Sequence, residues 1–468
     1  MILRRRCSNV ILALSFFTLI VIANIYFVYL TIEEKDVKLV EEKPQTVQTI
    51  KSSEKKSVRR SSSNVNQLKQ KYYLAQAGNP ITATLNAAEK IQKAVAELPP
   101  IYRNISTSHK VILNRILNNL QPNVNISPGL WKVAEKWVTG TQVIPENVPL
   151  LGSVLNTLCS SKIIKAGNTK KGTQLKVLLT LEGGQKALFK PQWYLRDEII
   201  NGPVYAGRDR HNAEVAAFHL SLLLNIRRVP LIVGRKINLR REIMPVASTE
   251  LLDTFYQEGN NTCFYGVCMY CEPQSPVCAK KDIMEGAVIM WLPSDIRFER
   301  YPSPWQRSYK SELVARWEVE EKYCDKVKNS KPYSLETSSL LLDLIDAAIF
   351  DFLLDNGDRH HYEVPTNMNP ASVFLFDNGK SFGNPHRDHL DILAPLYQCC
   401  LLRRKTWERL KLFTGGTLSS SLEQTLKYSH ISPVLTNAHL HALDRRLLYI
   451  FAAVEICMKE NGVFKVLV

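Results

Sequence analysis

The sequence contains no G-x-G-x-x-G, no G-x-x-x-x-G-K-[ST] and no D-F-G. Without them it lacks the glycine-rich loops with which conventional cytosolic kinases and P-loop enzymes cradle phosphates, and the chain is neither. No internal repeat is visible. With 23 Pro and 20 Gly in 468 residues and 45% hydrophobic residues, a collagen-like or mainly disordered protein is excluded. Acid is the scarcer charge, 44 Asp and Glu against 60 Lys and Arg, for a formal charge of +16. Such an excess suits nucleic acid, or acidic substrates such as proteoglycans, or simply solvated lysines on a stem and on helix faces. Long apolar runs are also missing, with one exception.

The exception is VILALSFFTLIVIANIYFVYL, Val10 to Leu30. As a helix it is about 30 Å long, enough to cross a bilayer. It exceeds the apolar core of a cleaved signal peptide, about 7 to 15 residues, and no small-x-small site closes it, so we read a signal anchor. Arg4, Arg5 and Arg6 hold residues 1–9 in the cytosol. The expected protein is therefore a single-pass type II membrane protein, of the kind common in the Golgi, with everything after Leu30 in the lumen. A luminal protein meets no nucleic acid, which removes that partner.

Cysteine usage agrees with this address. Cys7 is cytosolic and nine cysteines are luminal, so at least one lacks an intrachain partner. NTCFYGVCMYCEPQSPVC, with Cys263, Cys268, Cys271 and Cys278, has spacings that suit zinc or disulfides, and an oxidising lumen favours disulfides. Cys324, Cys399, Cys400 and Cys457 form a second group whose connectivity the spacing leaves open. Sequons at Asn104 and Asn260 are open to glycosylation in such a compartment, while the one at Asn125 is weakened by the following proline.

Residues 31–127 read as a stem, because the run after Thr31 mixes charges, is rich in serine and has few aromatics with which to build a core. Globular patterning becomes dense from Pro128, where SPGLWKVAEKWV offers a capping serine and apolar residues Leu130, Val133, Ala134 and Trp137 at helical spacing. QLKVLLTLEGGQKALFKPQ predicts a hairpin from Gln174 to Lys190 around Gly-Gly. HNAEVAAFHLSLLLN predicts a helix over 212–225 with a stripe of Val215, Ala216, Phe218, Leu222 and Leu223. Ile283 to Pro293 reads as a buried strand ended by proline, and Leu340 to Asn356 as an amphipathic helix. The fold class is α+β in two lobes: a β-containing lobe with a hinge over 128–293, then a mainly helical lobe over 294–468.

The helix from Leu340 runs into DNGDRHHYE, and LFDNGKSFG follows. Adjacent side chains diverge by about 100° on a helix and lie on opposite faces of a strand, so His360 and His361 do not share one metal ion. Phosphoryl transfer needs a carboxylate to take the proton of an attacking hydroxyl, and hard oxygen ligands for Mg2+ or Mn2+. Asp358 and Glu363 stand five apart, the spacing of a kinase catalytic loop with Glu in place of Asn, and Asp377 opens a second turn. Lys190 ends a β-run and Glu214 follows on a helix, as a phosphate-binding lysine and its acid would. Each alone is weak, since most strand lysines and helix glutamates are solvated; the ordered set is stronger. Gly172 and Gln174 in KKGTQLK offer a phosphate-facing turn where the glycine-rich loop is absent.

KGTQLK, GGQKALFKP, DRHNAEVAAFHL, NNTCFYG, MEGAVIMWLP, NGDRHHYE, LFDNGKSFGNP and ILAPLYQCC together resemble the secretory-pathway kinases related to the Golgi casein kinase, over Leu130 to Val468. The resemblance implies an atypical protein-kinase-like fold. In the branch it matches best, it implies ATP-dependent phosphorylation of the 2-hydroxyl of xylose in the glycosaminoglycan–protein linkage region of proteoglycans. Two other activities exist among such kinases: a serine protein kinase, and a pseudokinase that activates a partner. The pseudokinase carries glutamine where this chain has Glu214. Carried over, Asp358 is the catalytic base, Lys190 meets the phosphates, Gln174 contacts ATP, and Ile289, Met290, Trp291 and Leu292 form the hinge facing adenine. Asp377 binds metal and nucleotide, Glu214 lies at the metal, and Glu363 assists ATP or metal binding. The resemblance further implies Mn2+, with Mg2+ as the alternative, and a homo- or hetero-oligomer with related kinases. It pairs Cys263 with Cys278, Cys268 with Cys271, Cys324 with Cys399 and Cys400 with Cys457, leaving Cys159 as the free thiol.

Overall fold

The computed structural model describes residues 73–74, 82–169, 172–310 and 313–468. The anchor expected at Val10–Leu30 lies outside the described residues, as does most of the stem; among the described residues, no helix is long and apolar enough to cross a membrane.

The stem as read from composition is too long. Two helices, α1 (Thr82–Ala96) and α2 (His109–Leu120), lie in its second half. Ile91 on α1 and Leu113, Ile116 and Leu120 on α2 are buried. These rows are narrow, and the polar residues on the remaining faces conceal them in any composition average. Tyr102, between the two helices, stacks on Phe451 with ring centroids 4.6 Å apart.

Next come two shorter helices, α3 (Leu130–Glu135) and α4 (Leu151–Ser160). Ser127 does not cap α3; its Oγ accepts from Gly129 N at 3.3 Å, which shapes the turn before the helix. Five strands follow in one antiparallel sheet: β1 (Ile163–Asn168), β2 (Val177–Leu181), β3 (Lys186–Pro191), β4 (Ile232–Asn238) and β5 (Ile283–Met290), in the order β1-β2-β3-β5-β4. The β2–β3 hairpin turns at Gly183 and Gly184, both at φ 85°, where a side chain would be strained. Pairing of Lys190 with Ala287 sets the register that carries the lysine to its site.

Helix α5 (His211–Leu223) packs on β4 and β5. An apolar stripe on one face was the expectation, but every residue of α5 is buried. The sheet covers one side and helices of the second lobe another, so even its polar positions face protein. The same correction applies to α6 (Leu340–Leu354), which is buried at thirteen of its fifteen positions rather than on one face. It ends at Asp355 in the left-handed region, φ 60°. A two-stranded ribbon, β6 (Phe298–Pro302) against β7 (His361–Pro365), flanks this helix end. The long helix α7 (Asn437–Asn461) closes the lobe. From α7 the fully buried Arg446 donates through Nε to Asp388 at 2.8 Å and through Nη1 to the Leu353 carbonyl at 3.2 Å, with Asp355 3.6 Å away.

Four disulfides join Cys263 to Cys278, Cys268 to Cys271, Cys324 to Cys399 and Cys400 to Cys457. Cys159 is free and buried, and burial pushes its thiol up to about 11.

Packing of α2 predicts that Ile116→Ala lowers stability by about 2–5 kcal/mol, measured by urea unfolding of the protein. A solvated stem would leave the transition unmoved.

Candidate active site

Lys190 is the penultimate residue of β3, its ammonium turned into the protein, where it is almost wholly buried. Nζ donates to Glu214 Oε1 at 2.6 Å, to Asp377 Oδ1 at 2.6 Å and to Asp209 Oδ2 at 2.9 Å. Burial opposes the charge on Lys190, but Asp209, Asp377 and Glu214 outweigh it and raise its pKa well above the ordinary lysine value. Burial raises the pKa of Glu214, against the pull of Lys190. Asp377 differs: its side chain is 63% exposed to the cleft, and Lys190, followed by Lys176 and Arg359, holds its carboxyl far below the usual range.

Three segments must converge for this cluster to form. Asp209 precedes α5, Glu214 lies in the first turn of α5, and Asp377 opens its turn at φ 57°. The turn is tied to α5 twice: Asn378 N donates to Glu214 Oε1 at 3.1 Å, and Arg210 N donates to the Gly379 carbonyl at 2.7 Å. Gly379 is required because a Cβ there would lie 2.7 Å from the Asp209 Cβ.

The loop after α6 supplies the second half of the site. Gly357 passes so close to Val204 that a Cβ would come within 2.0 Å of its Cγ1. Asp358 follows, its Oδ1 accepting from the Tyr309 hydroxyl at 2.5 Å. Burial raises the Asp358 pKa, while that hydrogen bond and His360 work in the other direction. Arg359 ties the loop to the Asp377 turn, donating to both oxygens of Asp351 at 2.5 and 2.8 Å, to the Phe376 carbonyl at 2.7 Å and to Asn378 Oδ1 at 2.8 Å.

The structure thus brings Lys190, Glu214 and Asp377 into direct contact and ties the Asp358 loop to the Asp377 turn. Gln174 stands at the edge, its Oε1 accepting from Asp209 N at 3.2 Å. Ile289 and Met290 finish β5, and Trp291 N donates to the Lys186 carbonyl at 2.9 Å where the chain leaves the sheet; Trp291 and Leu292 are half-buried there. Glu363 is not drawn into the cluster. It lies on β7 opposite Arg300 of β6, whose Nε and Nη2 donate to its Oε1 at 2.8 and 2.6 Å. The adjacent histidines serve as scaffold: His360 Nδ1 lies 2.7 Å from both the Tyr309 hydroxyl and the Asp358 carbonyl. Among the described residues, Glu258, Cys263 and Cys278 are spaced to hold a metal, but the two cysteines are joined in a disulfide.

Asp209, Asp351, Arg359, Lys176 and Tyr309 were missed in the sequence. Only Asp351 left a trace, as an acid inside an apolar helix that demands a buried cation. Glu214 and Asp377 present hard carboxylate oxygens at one point, in excess over the single ammonium between them, a donor set that fits Mn2+ or Mg2+.

A family model described as Golgi casein kinase, C-terminal, Fam20, matches residues 129–466. The chain is 52% identical to the human (Homo sapiens) glycosaminoglycan xylosylkinase over 339 residues, 72% of this chain and 82% of that protein. The structure of hydra Fam20 with sugar superposes with a TM-score of 0.70 at 44% identity, covering 74% of this chain and 99% of that one. The Golgi casein kinase with Mn/ADP bound gives a TM-score of 0.69 at 29% identity, covering 86% and 96%.

Lys190→Met leaves Asp209 and Glu214 buried without their cation, and is expected to cost about 3–5 kcal/mol of stability in metal-free protein near neutral pH. The deficit narrows as pH falls, because the raised pKa of Glu214 lets it take up a proton in the folded state. Urea unfolding at about pH 7 and about pH 5 measures both effects; an equal deficit at the two values would contradict the assignment.

Proposed function

The chain belongs to the Fam20 family of Golgi casein kinases, and from that membership we propose that it transfers the γ-phosphoryl group of ATP to the 2-hydroxyl of xylose in the glycosaminoglycan–protein linkage region of proteoglycans. The observation that carries the chemistry is the Lys190 cluster facing the loop of Asp358, a carboxylate already hydrogen-bonded by a hydroxyl. For the acceptor, the support is 52% identity to the human xylosylkinase across most of both chains.

In this reading Asp358 receives the hydrogen bond of the xylose hydroxyl and takes its proton as the new oxygen–phosphorus bond forms. Lys190 bears on the phosphates, and Gln174 and the Ile289–Leu292 hinge hold the nucleotide. Glu214 and Asp377 would hold Mn2+, which when bound neutralises phosphate charge. The site excess of carboxylate is thereby used, since it would otherwise repel ATP. Residence in the Golgi membrane as a type II protein belongs to the same proposal. It is supported by the apolar run Val10–Leu30, by four disulfides, and by the exposed positions of Asn104 and Asn260.

Incubation with ATP, Mn2+ and a galactosyl-xylose acceptor is expected to yield phosphoxylose, detected by mass spectrometry. No product from a preparation that phosphorylates casein-like peptides would overturn the assignment in favour of a protein kinase. Asp358→Ala should lower turnover by about 10²- to 10⁴-fold with nucleotide binding retained. Because burial raises the Asp358 pKa, the acid limb of kcat/KM is expected above the ordinary Asp value of about 3.9, with activity lost as pH falls through it.

A further inference from the structure

Asp358 is not free in this cleft. The Tyr309 hydroxyl sits 2.5 Å from its Oδ1, and His360 Nδ1 lies 2.7 Å from the same hydroxyl. The Tyr309 ring rests edge-on against Tyr205 at 4.6 Å between centroids and is 41% exposed. An ionised carboxylate can only accept, so the phenolic proton points at Asp358 and the phenol oxygen is left to accept from His360. A catalytic base waiting for a sugar hydroxyl needs the same arrangement: one O–H donor at hydrogen-bond distance, aimed at the carboxylate. Tyr309 therefore stands where the acceptor hydroxyl must stand. It lies in neither helix nor strand, so moving it breaks no backbone ladder.

We propose that Tyr309 is a specificity-determining residue, holding the acceptor position on Asp358 against water until a larger acceptor displaces it. This rests on Asp358 being the base, as argued above. The reaction it suppresses is hydrolysis. A water on Asp358 would form a bond from its oxygen to the γ-phosphorus while the bond from that phosphorus to the β,γ-bridging oxygen breaks. The electron pair leaves with ADP, and the water proton passes to Asp358 and then to solvent, giving inorganic phosphate and no phosphorylated acceptor. A single water gains too little by replacing one hydrogen bond to evict the ring. A disaccharide brings contact area to the exchange, and it alone pushes Tyr309 aside.

The test is ADP release by Tyr309→Phe with ATP and Mn2+ and no acceptor, alongside transfer to galactosyl-xylose. Phenylalanine keeps the ring against Tyr205 and removes the one hydrogen bond. ADP release without acceptor is expected to rise about tenfold over wild type, the scale of one hydrogen bond to a charged group, and the acceptor KM to fall. Equal binding of Mn2+–ADP by variant and wild type verifies that the cleft is intact. Unchanged ADP release together with a raised acceptor KM would overturn the proposal, because Tyr309 would then be gripping the acceptor. Phosphate found on Tyr309 itself would overturn it too. The two inferences fail separately. A rise in ADP release from a protein that phosphorylates no sugar spares this one and sinks the xylose assignment, whereas unchanged ADP release from a protein that makes phosphoxylose does the reverse.

Discussion

Three carboxylates from two stretches of the chain, Asp209 with Glu214 and then Asp377, share the ammonium of Lys190, and the rest of the site is arranged around that meeting. None of the buried groups is tolerable alone: a lysine without partners in this interior would shed its proton, and an unpaired Glu214 would take one up. The cluster is thus a mutual condition on the sheet, on α5 and on the Asp377 turn. Arg359 extends the condition to the Asp358 loop, since the same guanidinium holds Asp351 under the loop and Asn378 beside Asp377. Gly379, with no room for a side chain, stands where the Asp377 turn passes Asp209, and Gly357 likewise stands where the Asp358 loop passes Val204.

Much of this was legible in the sequence, for definite reasons. The β2–β3 hairpin announces itself by alternation around Gly-Gly, and Lys190, Glu214, Asp358 and Asp377 by their order and spacing, which follow those of protein kinases. Glu363 stands at the kinase distance from Asp358, and the register adds what spacing does not show: β7 sets it directly across from Arg300, which donates to it. Asp209 had no periodic signature at all; it sits in a basic loop, and only the fold reveals that this loop touches Lys190. Helices α5 and α6 were identified as helices but given one apolar face, because a sequence does not reveal that a second layer covers the other side. Composition misled at α1 and α2 for the opposite reason: a few buried residues suffice to dock a helix whose other faces stay polar.

The charge of the chain is distributed with similar economy. A formal excess of +16 coexists with a reaction centre that is locally acidic. Basic groups elsewhere leave that centre untouched because surface charges are screened within about 10 Å at ordinary ionic strength. Cys263–Cys278 staples a small sheet outside the five-stranded one, and the thiol of Cys159, the free one among the described residues, is buried, with its pKa raised by that burial.

Arg446 ties the last long helix to the end of the helix that leads into the Asp358 loop. It belongs to α7, far downstream of the loop that carries Asp358, yet it is the cation beneath Asp355 and Asp388 at the foot of that loop. A polypeptide leaves the ribosome amino end first. One tie on the helix that ends in the Asp358 loop therefore comes from a part of the chain made after the loop itself.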